Sequence, residues 1–529
     1  MIRKSARVIA SAALSLVGSS GLVLPGRADT SAAPAVPAPP VAASEAAKAV
    51  APLPETGLPA GQYAAPAKAP AASADKGWTL FGSLRVRVED QNFFPTPKAN
   101  GAYTYAAETL RFGVMRQMSQ VDYLLEMEAP GLFNLPTKAV AAAPQGQLGH
   151  GATYFAVNKS RVANLFLKQG YVRLKFPGTT SNSLKLGRFE FSDGQETVSP
   201  DPALNWIKQN RIGQRLLGPF GYTMVTRSFD GLQFVSNTPK LNVTALGVFP
   251  TRGAFDLNGW DSLADIRVIY LAATVPHARK TSASDARLFF MYYEDARSKV
   301  VKTDNRPAAA RATDHSAIRI QTYGGHYARV MNVGAGKADV MVWGAGQVGK
   351  WGVQEHGAFA VAAEAGYQLP NTAWKPWLRF GYHLASGDGN PNNNQHGTFF
   401  PVLPTARVYA RYPFFGDTNL QDIFGQLIVK PCTRLTMRGD VHALRLADSH
   451  DLWYSGGGAF NNSVFGYSGR PSGGRGELAT LVDLSADYQI SKSTTVTLYG
   501  AYANGGGAVA NNFTSRDSIF GFAEVNWKF

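Results

Sequence analysis

The 529-residue chain has a single cysteine, Cys432. No internal disulfide can form even in an oxidising compartment, so the fold rests on packing and hydrogen bonds. Long apolar runs are equally scarce: beyond the first 28 residues no stretch of eighteen apolar residues occurs, which excludes a membrane-spanning helix there. Acidic residues are outnumbered, with 37 Asp and Glu against 52 Lys and Arg and a formal net charge of +15. That balance favours acidic partners. His-Glu-x-x-His, Gly-x-Ser-x-Gly and Walker sequences are also absent, which removes the common signatures of zinc proteases, serine hydrolases and nucleotide-driven enzymes.

What is present begins with Met1 to Ala28: a basic start (Arg3, Lys4, Arg7), an apolar and small-residue run from Val8 to Leu24, and Gly26-Arg27-Ala28 as a small-residue cleavage site. The pattern predicts a secretory signal peptide, residues 1–28. It carries four cations and no carboxylate, so its removal lowers the excess from +15 to +11. Export excludes nucleic acid as the acidic partner by address and leaves lipopolysaccharide, anionic sugars and small anions. Residues 29–76 are dominated by Ala and Pro with almost no aromatic side chains to bury, and are expected to form a disordered periplasmic tether.

From Gly77 to Phe529 alternating segments recur between turn clusters without a sustained helical period. Strands are expected at 78–90, 104–118, 120–130, 162–176, 183–191, 222–236, 240–250, 263–275, 286–296, 314–331, 337–350, 353–367, 374–386, 418–430, 432–446, 477–490, 493–503 and 517–529. The total of about eighteen is even, as single-chain bacterial barrels require. Loop lengths are more informative than the strands. Long connections (92–103, 131–161, 192–221, 251–262, 297–313, 387–417, 447–476, 504–516) alternate with short joins such as Ser119, 237–239, Pro431 and 491–492, with Trp351-Gly352 tight where a long loop is due. A soluble sandwich has no reason to sort loops by length, whereas a barrel with two unlike faces does. The fold class is therefore all-β, a transmembrane antiparallel β-barrel. With the amino end periplasmic, every long loop is extracellular.

Parity then assigns the two faces. In Leu84-Arg-Val-Arg-Val-Glu89 the apolar residues face lipid while Arg85, Arg87 and Glu89 point inward. Tyr171-Val-Arg-Leu-Lys-Phe176 places Arg173 and Lys175 inside. By the same rule Arg379, Arg438, Asp440, His442, Asp483, Ser485 and Asp487 face the bore, which is expected to be mixed in charge with a cationic tilt. An outward Arg or Lys near the bilayer midplane costs ~2–4 kcal/mol, which enforces this parity. Trp78, Trp374, Trp377 and Trp527 lie near strand ends, where aromatic girdles sit.

Three further motifs admit a functional reading. Gly344-Ala-Gly-Gln-Val-Gly349 matches a dinucleotide fingerprint but needs a helix opening at the glycines, which Trp351-Gly352 interrupts. His442 with Asp440 shows no serine partner at strand spacing for a lipid hydrolase. Asp388-Gly-Asn-Pro-Asn392 offers half a calcium loop or a plain turn. No cofactor or metal is expected.

The terminal strand, Ser518 to Phe529, resembles the closing strand of bacterial outer-membrane barrels. Four stretches together resemble the alginate export family: Gln169-Gly-Tyr-Val-Arg-Leu-Lys175 leading to Leu186-Gly-Arg-Phe-Glu-Phe-Ser-Asp-Gly194, Arg227-Ser-Phe-Asp-Gly231, Leu384-Ala-Ser-Gly-Asp-Gly-Asn-Pro391, and Gly397-Thr-Phe-Phe-Pro401. The resemblance implies a monomeric eighteen-stranded barrel exporting a polyuronate through a constricted, Arg- and Lys-lined pore that a loop can cover. It adds Arg188, Glu190, Arg227 and Asp230 to Arg173 and Arg379 as lining residues. Arg188 and Glu190 share parity with Leu184 and Leu186, which points toward lipid; a bulge at Gly187 would turn them inward. Pro136 to Lys159 and the Ala/Pro segment depart from the family pattern. The expected function is a passive outer-membrane channel for an anionic, alginate-like exopolysaccharide, with outer-membrane lipid, lipopolysaccharide and a periplasmic export scaffold as partners. The alternatives are an anion-preferring porin for small solutes and, last, an outer-membrane lipid hydrolase.

Overall fold

The computed structural model describes residues 77–176, 181–405 and 408–529. The expected signal peptide and tether lie outside them. Eighteen long strands form one sheet: β1 Trp78–Asn92, β2 Ala102–Gln117, β3 Val121–Phe133, β4 Phe166–Phe176, β5 Ser181–Phe189, β6 Phe229–Asn237, β7 Asn242–Pro250, β8 Ile266–Arg279, β9 Ser282–Asp295, β10 Ile318–Val333, β11 Gly336–Trp351, β12 Gln354–Gln368, β13 Trp377–Ala385, β14 Leu420–Cys432, β15 Leu435–Arg445, β16 Glu477–Gln489, β17 Thr494–Gly505 and β18 Asp517–Lys528. Each pairs antiparallel with its sequence neighbour, and β1 pairs with β18 from Ser83↔Lys528 to Asn92↔Ile519. Phe529 completes the seam through two backbone bonds with Gly82, each 3.0 Å. The sheet closes as a barrel, and the wall pairs its own strands instead of leaving a long open edge.

The strands follow the expected segments, with one large difference at β6. Residues 222–228, read as its beginning, leave the wall and fold inward, so β6 starts at Phe229. The long connections (93–101, 134–165, 190–228, 251–265, 296–317, 386–419, 446–476, 506–516) gather at one rim, and the short joins (118–120, 238–241, 280–281, 334–335, 433–434, 490–493) at the other. The tight join 352–353 sits at the long-connection rim, as the sequence indicates.

Outside, Ile269, Leu271, Val342, Phe359, Phe380, Ile423, Val441 and Leu484 are exposed and form an apolar band. At the long-connection rim it ends in a cross-strand row of charges, Arg267↔Glu294↔Arg319↔Lys350↔Glu355. At the other rim Trp78, Trp374 and Trp527 are exposed, as a girdle requires. Trp377 departs from that expectation: it turns inward, 5% exposed, donates its indole N–H to Asp339 at 2.7 Å and packs on Trp206. The register places it there, because it shares its face with Arg379.

Inside, the wall is not simply polar. Tyr270, Phe289, Met291, Ile320 and Trp343 are buried in one apolar cluster with Leu204, Ile207, Leu216, Leu217, Phe400 and Leu403 from two long connections. A strand with apolar side chains on both faces needs lipid on one side and protein on the other, and these connections supply the protein. The 134–165 connection carries helix α1, His150–Asn158, and the 190–228 connection carries α2, Pro202–Ile207. Asp201 caps α2 by accepting from Ala203 and Leu204 amides, with Pro202 at its first position.

Two glycines show where the wall tolerates no side chain. Gly187 and Gly231 face each other across β5 and β6 with φ of 121° and 153°, and a Cβ on Gly187 would lie 2.3 Å from the Gly170 carbonyl oxygen. Gly187→Val is expected to destabilise the barrel by about 2 kcal/mol, read as a lower denaturant midpoint in micelles. Gly346→Ala, which meets open space, should leave the midpoint unchanged.

Candidate functional site

The bore is the candidate site, and charged side chains step up its wall along β2, β3 and β4. Beside the short join 118–120, Asp122 holds both Arg173 and Lys175, the latter at 2.7 Å. One strand step higher Glu126 takes a bidentate pair from Arg111, at 2.9 and 2.7 Å, and a bond from Gln169. Above it β4 bulges: Glu126 pairs with Gln169 and Met127 with Leu167, so Lys168 is the extra residue. The bulge puts both Lys168 and Gln169 inside. Lys168 and Arg111 then clamp Glu190, each at 3.1 Å.

Glu190 therefore lies inside as expected, by a route the sequence does not suggest. β5 stops at Phe189, which frees residue 190 from strand parity. Arg188 does not follow it. The register through Gly187 is unbroken on both sides, so no bulge forms there. Arg188 stays on the outer face, paired with Asp230 at 2.7 and 2.8 Å and covered by the carbonyls of Gly259 and Trp260. Arg188 and Asp230 are thus corrected from lining residues to an outer-face ion pair. The outward charge is tolerated because it is fully paired under a loop at the rim, away from the midplane.

The remaining expected residues point inward and are engaged. Arg85 donates to the carbonyls of Gly221, Tyr222 and Thr223 at 2.9, 3.1 and 2.6 Å, holding the returning arm of the 190–228 connection. Arg87 pairs with Glu524 at 2.7 Å and Glu89 at 3.0 Å. Arg227 donates to the Gly457 carbonyl at 2.6 Å. Arg379 lies between Asp339 and Glu364, at 3.0 and 2.8 Å, and over the Trp206 ring. Arg438 lies near the same indole. Asp440, His442, Asp483 and Ser485 face the bore.

Across this bore run two chain segments. The 190–228 connection descends from the long-connection rim until Asp201 meets Lys337, beside the short join 334–335, at 2.8 Å. Lys208 pairs with Asp285 at 2.7 Å. Arg211 and Arg215 approach Glu364 at 3.4 and 3.9 Å. Asp193 meets Arg287 at 3.2 Å. The second segment, described at 397–405 and 408–417, bridges in parallel to the first at Leu217↔Leu403. It is fixed to the wall through Phe400 and Gln347, bonded at 2.7 and 3.0 Å. Arg211 and Arg215 bond its Val408 carbonyl and Tyr409 hydroxyl.

One sequence expectation changes as a result, the cationic tilt of the bore, while the three motifs go the way the sequence favours. Among the described residues buried carboxylates outnumber buried Lys and Arg, so the interior is a set of ion pairs rather than a bare cationic ladder. Lone charges at that depth would be prohibitively costly. Gly344 to Gly349 continues β11 in register and opens no helix. Asp388 and Asn390 accept from the amides two residues on, forming plain turns. His442 turns into the bore against Asp422 at 2.9 Å, not toward lipid as a membrane hydrolase would need. Arg111 and Arg287 obey the same parity and were legible in Leu110-Arg-Phe112 and Ala286-Arg-Leu288; Lys168, Arg211 and Arg215 carry no periodic signal.

The family described as Alginate export matches residues 84–519. No curated protein matches the chain. Among solved structures, Pseudomonas aeruginosa OccK9 (OpdG) aligns with a TM-score of 0.52 and 12% identity over 85% of this chain and 98% of that one. OccK11 (OpdR) of the same organism aligns with 0.50 and 11% over 85% and 96%. OpdK with vanillate, also from Pseudomonas aeruginosa, gives 0.50 and 10% over 85% and 98%. At these identities the likeness is one of fold alone.

Removing Arg379 leaves Asp339 and Glu364 buried with part of their compensation gone. Arg379→Ala should cost about 3 kcal/mol of stability, measured as a shifted unfolding midpoint. Arg379→Ala combined with Glu364→Gln should recover part of the loss.

Proposed function

The chain belongs to the alginate export family, and we propose that this outer-membrane channel is a passive conduit through which an acidic polysaccharide leaves the cell. The observation that carries the reading is the pair Arg173 and Lys175. Both lean on one carboxylate, Asp122, and both remain about one-fifth exposed at the short-join mouth. Among the described residues no second carboxylate neutralises them, so this mouth offers a net positive charge to an arriving polyanion.

Beyond that mouth the polymer's carboxylates meet guanidinium and ammonium groups already paired with Asp and Glu. Transfer proceeds by partner exchange: each sugar carboxylate replaces a protein carboxylate on Arg111, Lys168 or Arg87 and is itself replaced at the next step. Exchange between similar charge-assisted bonds keeps any single site from becoming a trap. The two crossing segments must part to admit a chain, since their apolar side chains fill the bore beside the wall. In this reading the short-join rim faces the periplasm, where an export scaffold delivers the polymer, and the long connections face outward among lipopolysaccharide.

The packed bore also suits a second reading, an anion-preferring porin for small solutes, because small molecules need less displacement than a polymer. Planar-bilayer recording separates the two. The export reading predicts anion selectivity and current block by uronate oligomers added at the short-join side, weakened about tenfold in Arg173→Ala/Lys175→Ala, as expected for loss of charge-assisted bonds. Equal block by neutral oligosaccharides would favour the small-solute porin, and cation selectivity would contradict both.

A further inference from the structure

At the long-connection rim, away from the ion pairs of the bore, the connections enclose a cavity of about 880 Å³. That is the size of a ligand cleft rather than of a packing defect. One wall is α1 with its flanks, contributing Gln147, His150, Asn158 and Arg161; the others include Phe255, Phe460, Asn462 and Arg470. Most of the helical wall comes from the 134–165 connection.

Arg470 gives the chamber its chemistry. It is 3% exposed, and its guanidinium lies 4.9 Å from the Trp453 ring centroid. It donates to neutral partners: the carbonyls of Gln145 at 2.8 Å and Gln147 at 3.2 Å, and the Ser455 hydroxyl at 3.4 Å. Among the described residues no carboxylate pairs with it, in contrast to the buried Arg87, Arg111, Arg287 and Arg379 of the bore. A buried cation whose donors meet only neutral oxygens and whose face meets only aromatic rings attracts an anion from an adjoining cavity. Arg161, exposed at the edge of the same cavity, has no described carboxylate partner either. Arg252 is by contrast satisfied by Asp256 and Asp261. Phe255 and Phe460 supply flat apolar faces for the C–H side of a pyranose ring, and the Asn and Ser side chains supply hydroxyl partners.

We propose that this chamber binds a short acidic oligosaccharide segment, with a sugar carboxylate on Arg470, a second charge on Arg161 and ring stacking on the phenylalanines. The proposal rests on the export reading for its substrate class and adds an outer recognition site at the long-connection rim.

Tetragalacturonate titrated calorimetrically into the detergent-solubilised full barrel tests it, with maltotetraose as the neutral control and heat-modifiable gel mobility as the check of folding. The expected result is saturable binding of tetragalacturonate, about tenfold weaker for maltotetraose and about tenfold weaker in Arg470→Gln. Arg161→Ala and Asn462→Ala alter exposed side chains and keep the test valid if Arg470→Gln fails to fold; Arg161→Ala should weaken binding severalfold. Absence of binding, equal affinity for maltotetraose, or binding unchanged in every folded variant would overturn the proposal. Oligomer block of current that survives in Arg161→Ala/Arg470→Gln, with binding lost, would leave the conduit standing. Binding retained while block is absent would leave the chamber standing and remove the conduit.

Discussion

Hydrocarbon offers a peptide group no hydrogen bond, and this molecule's structure depends on that constraint. Eighteen strands satisfy one another only because β1 meets β18, and the final residue locks the seam by exchanging two bonds with Gly82. Closure then fixes parity. Side chains alternate between lipid and bore, so a charge that appears within the span is driven inward unless, like Arg188, it finds a full partner at the rim.

An inward crowd of charges creates a second problem, because a bore this size filled with unpaired ions would be unstable. The chain solves it with its own long connections. The 190–228 segment brings Lys208, Arg211 and Asp193 to wall residues of opposite sign, and its leucines fill the apolar patches between them. The 397–417 segment is knitted to the first through Leu217, Leu403 and the two arginines. In the proposed conduit the ion pairs that stabilise the closed bore are the bonds a polyanion would exchange, so closure and conduction would draw on one set of groups.

Much of this was legible in the sequence, and the failures have identifiable causes. Strand positions and loop sorting were readable because lipid imposes a strict period of two on one face. The terminal segment Ser518 to Phe529 shows that alternation and resembles the closing strand of outer-membrane barrels. Parity also located Arg85, Arg87, Arg173, Lys175 and Arg379. It failed at Lys168, where a bulge resets the period, and at Glu190, where the strand ends one residue earlier. The cationic surplus failed for a different reason: parity identifies what faces inward, but pairing depends on residues 190–228 and 397–417, which have no period. Residues 222–228 look like strand and yet leave the wall, because Arg85 and Glu128 capture the backbone and side chains of that stretch. Trp377 could have been placed by its neighbour Arg379, since the two share a face.

The two crossing segments fill the bore, and in the proposed conduit they separate for it to conduct. Leu217 and Leu403 oppose each other in a parallel bridge; paired strands lie about 4.8 Å apart, within reach of a disulfide, and Leu217→Cys/Leu403→Cys in a Cys432→Ser background would join them. Single-channel recording of that variant, oxidised and then reduced, tests the claim directly. The account predicts a small or absent conductance and no oligomer block when oxidised, with both restored by reductant; equal conductance and equal block in the two states would contradict it.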